Sequence, residues 1–128
     1  MADSLEFPVE EIPDADSVFM RAHKDHFRDG TLRHSVFRAQ DGGMSVNWDK
    51  YCSKEETKQQ AKIPAVNAVI SLPVGGIRKI RDLNVKHTPE PRNRAHSEVN
   101  LPDNREDLTE VRVLLLRLAD IVLAWGQS

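Results

Sequence analysis

The chain has 128 residues, 39% hydrophobic and 30% charged, with a formal net charge of −2. That suits one globular domain with one core, leaves no room for two, and argues against wholesale disorder. The charge balance argues against a nucleic-acid coat, and no apolar run approaches the roughly 20 residues of a membrane span, so neither nucleic acid nor membrane is an expected partner.

Residues 1–16, MADSLEFPVEEIPDAD, carry six acidic and no basic residues. With no basic start and no apolar stretch they do not read as a signal peptide. They read as an acidic arm, disordered or laid along a neighbour, ahead of a single domain over 17–128. A single cysteine, Cys52, allows no intramolecular disulfide. Together these features point to the reducing cytoplasm.

In chain order, SVFMRAH (17–23) alternates and predicts a strand. RDG (28–30) is a turn signal. LRHSVFRA (32–39) predicts a second strand, QDGG (40–43) a tight turn, and MSVNW (44–48) a half-buried strand, the last two strands forming a hairpin. Ser53 followed by Glu56 is a capping box that starts a helix, stopped by Pro64 and lacking an apolar face, so expected on the surface. VNAVISL (66–72) is the strongest strand and is expected to be central. PVGG turns the chain, and Ile77, Ile80 and Leu83 suit one or two helical turns. NVKHTP predicts an edge-like strand and AHSEVNL another. Asp103 with Glu106 reads as a second capping box. From there Leu108, Val111, Leu115, Leu118, Val122 and Trp125 recur at three and four, predicting an amphipathic helix over about 104–125. The expected fold class is α+β: a mixed or largely antiparallel sheet of about five to six strands packed by a C-terminal amphipathic helix.

The five histidines, at 23, 26, 34, 87 and 96, form no zinc-finger spacing and no HExxH, so no metal site is expected. No glycine-rich phosphate loop occurs, and no cofactor is expected. Two arginine-led His-Ser stretches, LRHSVF and NRAHSEV, invite comparison with two-histidine phosphoesterases. In strands, however, Ser35 and Ser97 would face away from His34 and His96, which removes that family. Alternation instead puts Arg94, His96 and Glu98 on one strand face. From Gly76 to His96 six basic residues stand against two acidic ones, a face suited to an anion or an acidic partner.

Three strands carry one polar group each in chain order: Arg21 in FMRAH, Ser45 in GGMSVNW and Glu98 in AHSEVNL. This order resembles the R-S-E layout of the ADP-ribosyltransferase fold. The resemblance implies that Arg21 binds dinucleotide phosphates, that Ser45 steadies a ribose or the glutamate, and that Glu98 stabilises a developing oxocarbenium ion. MSV is not the family's S-T-S, and His96 stands where the family usually has Glu or Gln.

Two functions follow. One is a small interaction module, a subunit or regulatory partner in a multiprotein complex, motivated by the acidic arm, the basic segment and Trp125. The other is a small enzyme or effector acting on a nucleotide or other phosphate-bearing ligand. Its candidate catalytic residues are Arg21, Ser45, His96 and Glu98, with His23 as an alternative acid–base group and Arg38 and Arg94 as anion-binding groups.

Overall fold

Eight strands and three α-helices make up the computed structural model, which describes residues 7–39 and 43–126. The strands are β1 (Ser17–His23), β2 (Phe27–Arg28), β3 (Thr31–Leu32), β4 (Met44–Trp48), β5 (Asn67–Pro73), β6 (Val85–His87), β7 (His96–Val99) and β8 (Asp120–Leu123). The helices are α1 (Lys54–Gln59), α2 (Val74–Lys79) and α3 (Arg105–Leu118). Six strands form one antiparallel sheet in the order β6-β7-β4-β1-β5-β8, and β2 and β3 form a small hairpin. The class is α+β, as the sequence leads one to expect.

Alternation sorts the sheet's two faces. Val18, Met20, Ala22, Val46, Trp48, Ala68, Ile70, Leu72, Val85 and Val99 point to one side, where Ile77 of α2 and Val111 and Leu115 of α3 close the core. Phe19, Arg21, His23, Ser45, Asn47, His96 and Glu98 point to the other. Among the described residues, that second face is only partly covered, by α1 lying against β1 and β5. No helix of the described residues is long and apolar enough to cross a membrane.

Local chemistry explains several elements. Ser53 accepts from the Glu56 N–H, and the Glu56 carboxylate accepts from the Ser53 N–H, completing the expected capping box. The RDG turn holds Asp29 (φ 52°) and Gly30 (φ 80°) in the left-handed region between β2 and β3. The QDGG residues 40–42 lie outside the described residues.

Four local expectations are corrected. Residues 32–39 are not a strand hairpinned to β4. The strand ends at Leu32, and His34–Val36 form a 3-10 turn that sends Val36 and Phe37 into the core. There the Phe37 carbonyl accepts from Arg112 Nε (2.7 Å). Gly75 and Gly76 do not make a turn but sit inside α2. The last helix is capped by Asn104, which accepts from the Asp107 N–H, and not by Asp103. It also stops at Leu118, after which Asp120–Leu123 adds a strand to the outer edge of β5. A 3.6-residue apolar repeat cannot sense that open sheet edge, whose unpaired backbone groups invite another strand.

Residues 10–16, the end of the acidic arm, are strapped to the domain itself. Ile12 is buried in the core. Arg78 donates to the Ile12 carbonyl and the Asp14 carboxylate, both at 2.7 Å. Trp48 Nε1 donates to Asp16 (2.9 Å). The Glu10 N–H donates to His87 Nδ1 (3.0 Å), so His87 carries its proton on Nε2, aimed at the Arg94 carbonyl (2.7 Å). The Glu10 carboxylate accepts from the Tyr51 hydroxyl and from Lys50 Nζ and lies near Arg94. These contacts, the Tyr51 hydroxyl foremost, pull its pKa from 4.5 down to about 2. A folded-state pKa below the unfolded one gives stability that is complete above the unfolded value and is lost as pH falls toward the folded one. Glu10→Gln is therefore expected to lower the urea midpoint at pH 7. Its deficit against the native chain should shrink between pH 4.5 and 2, and a deficit constant over that window would contradict the strap.

Candidate active site

The partly covered face carries a polar cleft of about 750 Å³. That volume lies within the range of small-molecule sites. The cleft exists because two adjacent strands part. β1 and β4 pair at Val18–Trp48 and Phe19–Asn47, and the ladder then ends, although both strands continue. Met20 and Val46 face the core yet also line the cleft, as expected where a gap opens between strands.

The strand registers set the lining in rows. Asn47 pairs with His96 and Ser45 with Glu98. Continuing the β1–β4 register two residues past Phe19–Asn47 brings Arg21 level with Ser45. Arg21, Ser45 and Glu98 therefore form one row across β1, β4 and β7, with Phe19, Asn47 and His96 in the next. At the paired end, Asp49 N–H donates to the Ser17 carbonyl (3.0 Å) toward β1, and Trp48 N–H donates to the Ala95 carbonyl (2.8 Å) on the β7 side. By antiparallel alternation, the N–H and C=O of Ser45 and Arg21 aim at the gap where the ladder is missing.

His96 sits at the hinge of this arrangement. Its Nδ1 lies 2.9 Å from the Thr88 carbonyl and 3.0 Å from the Thr88 hydroxyl. A carbonyl only accepts, so Nδ1 carries the proton and Nε2 keeps its lone pair in the neutral ring. Nε2 is 3.3 Å from Ser45 Oγ and 3.8 Å from the Glu90 carboxylate. Glu98 lies against Gly43, where a Cβ would come within 3.2 Å of Glu98 Cβ.

Arginine and histidine side chains surround the row. One Arg21 nitrogen donates to the Thr57 carbonyl (3.3 Å) and reaches Gln60, tying the guanidinium to α1. Burial lowers the Arg21 pKa from its usual value. Arg38, Arg92, His23 and His26 also line the cleft. Burial, then the nearby charges of Arg38 and His23, push the His26 pKa down. The floor is an amide chain: Asn93 Nδ2 donates to Asn47 Oδ1 (2.8 Å), and Asn47 Nδ2 donates to Gln60 (2.9 Å) and Thr57 (3.2 Å). Cys52 touches this chain from beneath, with its thiol pKa raised by burial.

Of the residues expected from the sequence, Arg21, Arg38, Ser45, His96 and Glu98 all line this one cleft. Arg94 does not. It belongs to the turn before β7, where strand alternation does not apply. Its guanidinium stacks over Tyr51 at 4.1 Å and donates to the Tyr51 hydroxyl (3.2 Å). The shared face is thus His96 and Glu98 without Arg94. His23 lines the cleft, but its Nδ1 accepts from the Asp25 N–H (3.0 Å), which caps a 3-10 turn. His34 lies outside the lining. Sequence reasoning missed Asn47, Asn93, Gln60 and Arg92 as site residues. Asn47 was within reach, since it shares the cleft face with Ser45 at a spacing of two.

No protein-family model, curated protein or solved structure matches the chain. Site chemistry must therefore carry the functional reading. Among the described residues no group of three or more His, Cys, Asp or Glu side chains is placed to hold a metal ion. The arrangement can hold an anion against guanidinium groups, move a proton at His96 Nε2, and set a carboxylate beside a developing positive charge.

Proposed function

We propose that the protein is a small enzyme whose cleft binds a nucleotide or another phosphate-bearing ligand. The observation that carries this reading is the convergence of Arg21, Ser45, His96 and Glu98, on three different strands, within one 750 Å³ cleft. In this reading Arg21, Arg38 and Arg92 take the phosphate oxygens, His96 is the acid–base group and Glu98 stabilises positive charge. The row Arg21–Ser45–Glu98 follows the R-S-E order of the ADP-ribosyltransferases, and that activity is the specific form this proposal takes if the ligand is a dinucleotide.

Titration of the full chain with AMP and with pyrophosphate, followed by NMR, tests the reading. Resonances of Arg21, Ser45, His96 and Glu98 should shift together. Arg21→Ala should weaken binding about 10- to 100-fold, the loss of one or two charge-assisted hydrogen bonds. Unmoved cleft resonances at millimolar ligand, or equal affinity in the variant, would sink it.

An interaction module is the second reading. Its support is the outer edge of the sheet, where Ile121 and Trp125 are 48% and 46% exposed. Exposed apolar groups beside an open strand suit a protein partner. Sedimentation of the native chain as a strict monomer at high concentration, with no partner in its source, would count against it.

A further inference from the structure

Ser45 has more than a positioning part to play. A serine hydroxyl becomes a nucleophile when a base can take its proton, and the base works when a third group holds it in the right tautomer. All three parts are in place. The Thr88 carbonyl accepts a hydrogen bond from His96 Nδ1–H at 2.9 Å, leaving the Nε2 lone pair 3.3 Å from Ser45 Oγ. That distance is at the loose end expected before a substrate closes the contact. The Glu90 carboxylate, 3.8 Å from Nε2, is placed to stabilise the imidazolium that forms when the proton arrives.

Among the described residues, the charged and titratable groups that line the cleft are Arg21 and His23 from β1, His26 from the turn after it, Arg38 from the segment before β4, Glu90 and Arg92 from the loop before β7, and His96 and Glu98 from β7. Three guanidinium groups stand against two carboxylates among these described lining residues, which favours a substrate carrying negative charge away from the reacting carbon.

We infer that Ser45 and His96 form a nucleophile–base pair that cleaves a carboxylic ester of a phosphate-bearing molecule. The inference rests on the phosphate-binding reading of the cleft and goes beyond it by naming the bond broken. Ser45 Oγ adds to the acyl carbon while its proton passes to His96 Nε2. The bond from that carbon to the alcohol oxygen breaks, and the alcohol leaves with the proton from His96. Water then adds to the acyl-serine and gives His96 a proton. Collapse releases the carboxylic acid, and Ser45 Oγ recovers its proton from His96. A ribosyl-transfer role would instead leave Ser45 unmodified.

Diisopropyl fluorophosphate on the full chain separates these outcomes, because it reports nucleophilicity without needing the natural substrate. An activated Ser45 forms the Oγ–P bond as fluoride leaves, giving one adduct located at Ser45 by peptide mass analysis. His96→Asn should slow labelling about 100-fold or more. The native rate should rise with pH to a plateau. Absence of an adduct at Ser45, an unchanged rate in His96→Asn, or a native rate first order in hydroxide throughout would each overturn the inference. If His96→Asn does not fold, the native pH profile decides alone. AMP and pyrophosphate binding without labelling would overturn the Ser45–His96 pair and leave the cleft reading standing. Labelling without binding would overturn the cleft reading and with it the substrate class named here.

Discussion

Trp48→Ala should destabilise the chain by about 3–5 kcal/mol, the cost of a large cavity left by a buried indole. Trp48 is 1% exposed and is the largest fully buried side chain. It meets Tyr51 edge-on at 5.3 Å and His87 at 5.0 Å between ring centroids, and it binds Asp16 through Nε1. The loss therefore reaches beyond the core. It loosens the strap of residues 10–16, whose Glu10 contacts run through Tyr51 and His87. Domains of this size are stable by about 5–15 kcal/mol, so the variant should unfold at a much lower urea concentration or fail to accumulate. Trp48→Phe keeps most of the volume but leaves the Asp16 carboxylate without its donor, a cost of about 1–3 kcal/mol. Equal urea midpoints for the Ala and Phe variants would mean that packing of the indole is not what matters.

Lys58→Met is expected to cost about 2–4 kcal/mol, although Lys58 lies on a short polar helix. Its residue is 3% exposed, and Nζ donates to the Pro64 carbonyl (2.8 Å) and the Asn67 carbonyl (2.6 Å). Those two carbonyls belong to the turn that leads into β5, the strand flanked by β1 and β8. Methionine matches the length of the side chain but donates nothing, so both acceptors lose a charge-assisted bond in a covered site. Lys62→Met, four residues on and exposed, should shift stability by less than about 0.5 kcal/mol. Thermal or urea melts of the pair give the comparison directly. A Lys58 variant as stable as the Lys62 variant would show that solvent reaches those carbonyls.

Lys58 also shows where sequence pattern misleads. KEETKQ has no apolar stripe, and hydrophobic periodicity places such a helix on the surface. The capping box is legible because Ser53 and Glu56 act on each other three residues apart. The burial of Thr57 and Lys58 is not, because it depends on a helix laid over β1 and β5 with carbonyls waiting beneath. The same division holds at the chain's end. Helix α3 is legible from its apolar spacing, but β8 is not, because Ile121 and Val122 fit a helix until β5 offers an edge.

The candidate site divides in the same way. Alternation within MSVNW and HSEV was enough to put Ser45 on the face opposite Val46, and His96 and Glu98 on the face opposite Ser97, since a strand's period of two is a property of its own backbone. It failed for Arg94 because a turn has no such period. Nothing in the spacing could show that β4 lies between β1 and β7, or that β1 and β4 part after Phe19–Asn47. Those are choices of pairing between segments tens of residues apart, made by the whole sheet as it buries one face on α2 and α3. The sequence by itself determined which side chains share a strand face and which helices are capped. Only the tertiary structure brought Arg21, Ser45, His96 and Glu98 to one opening, because register and separation between strands are set by packing and not by any one strand's residues.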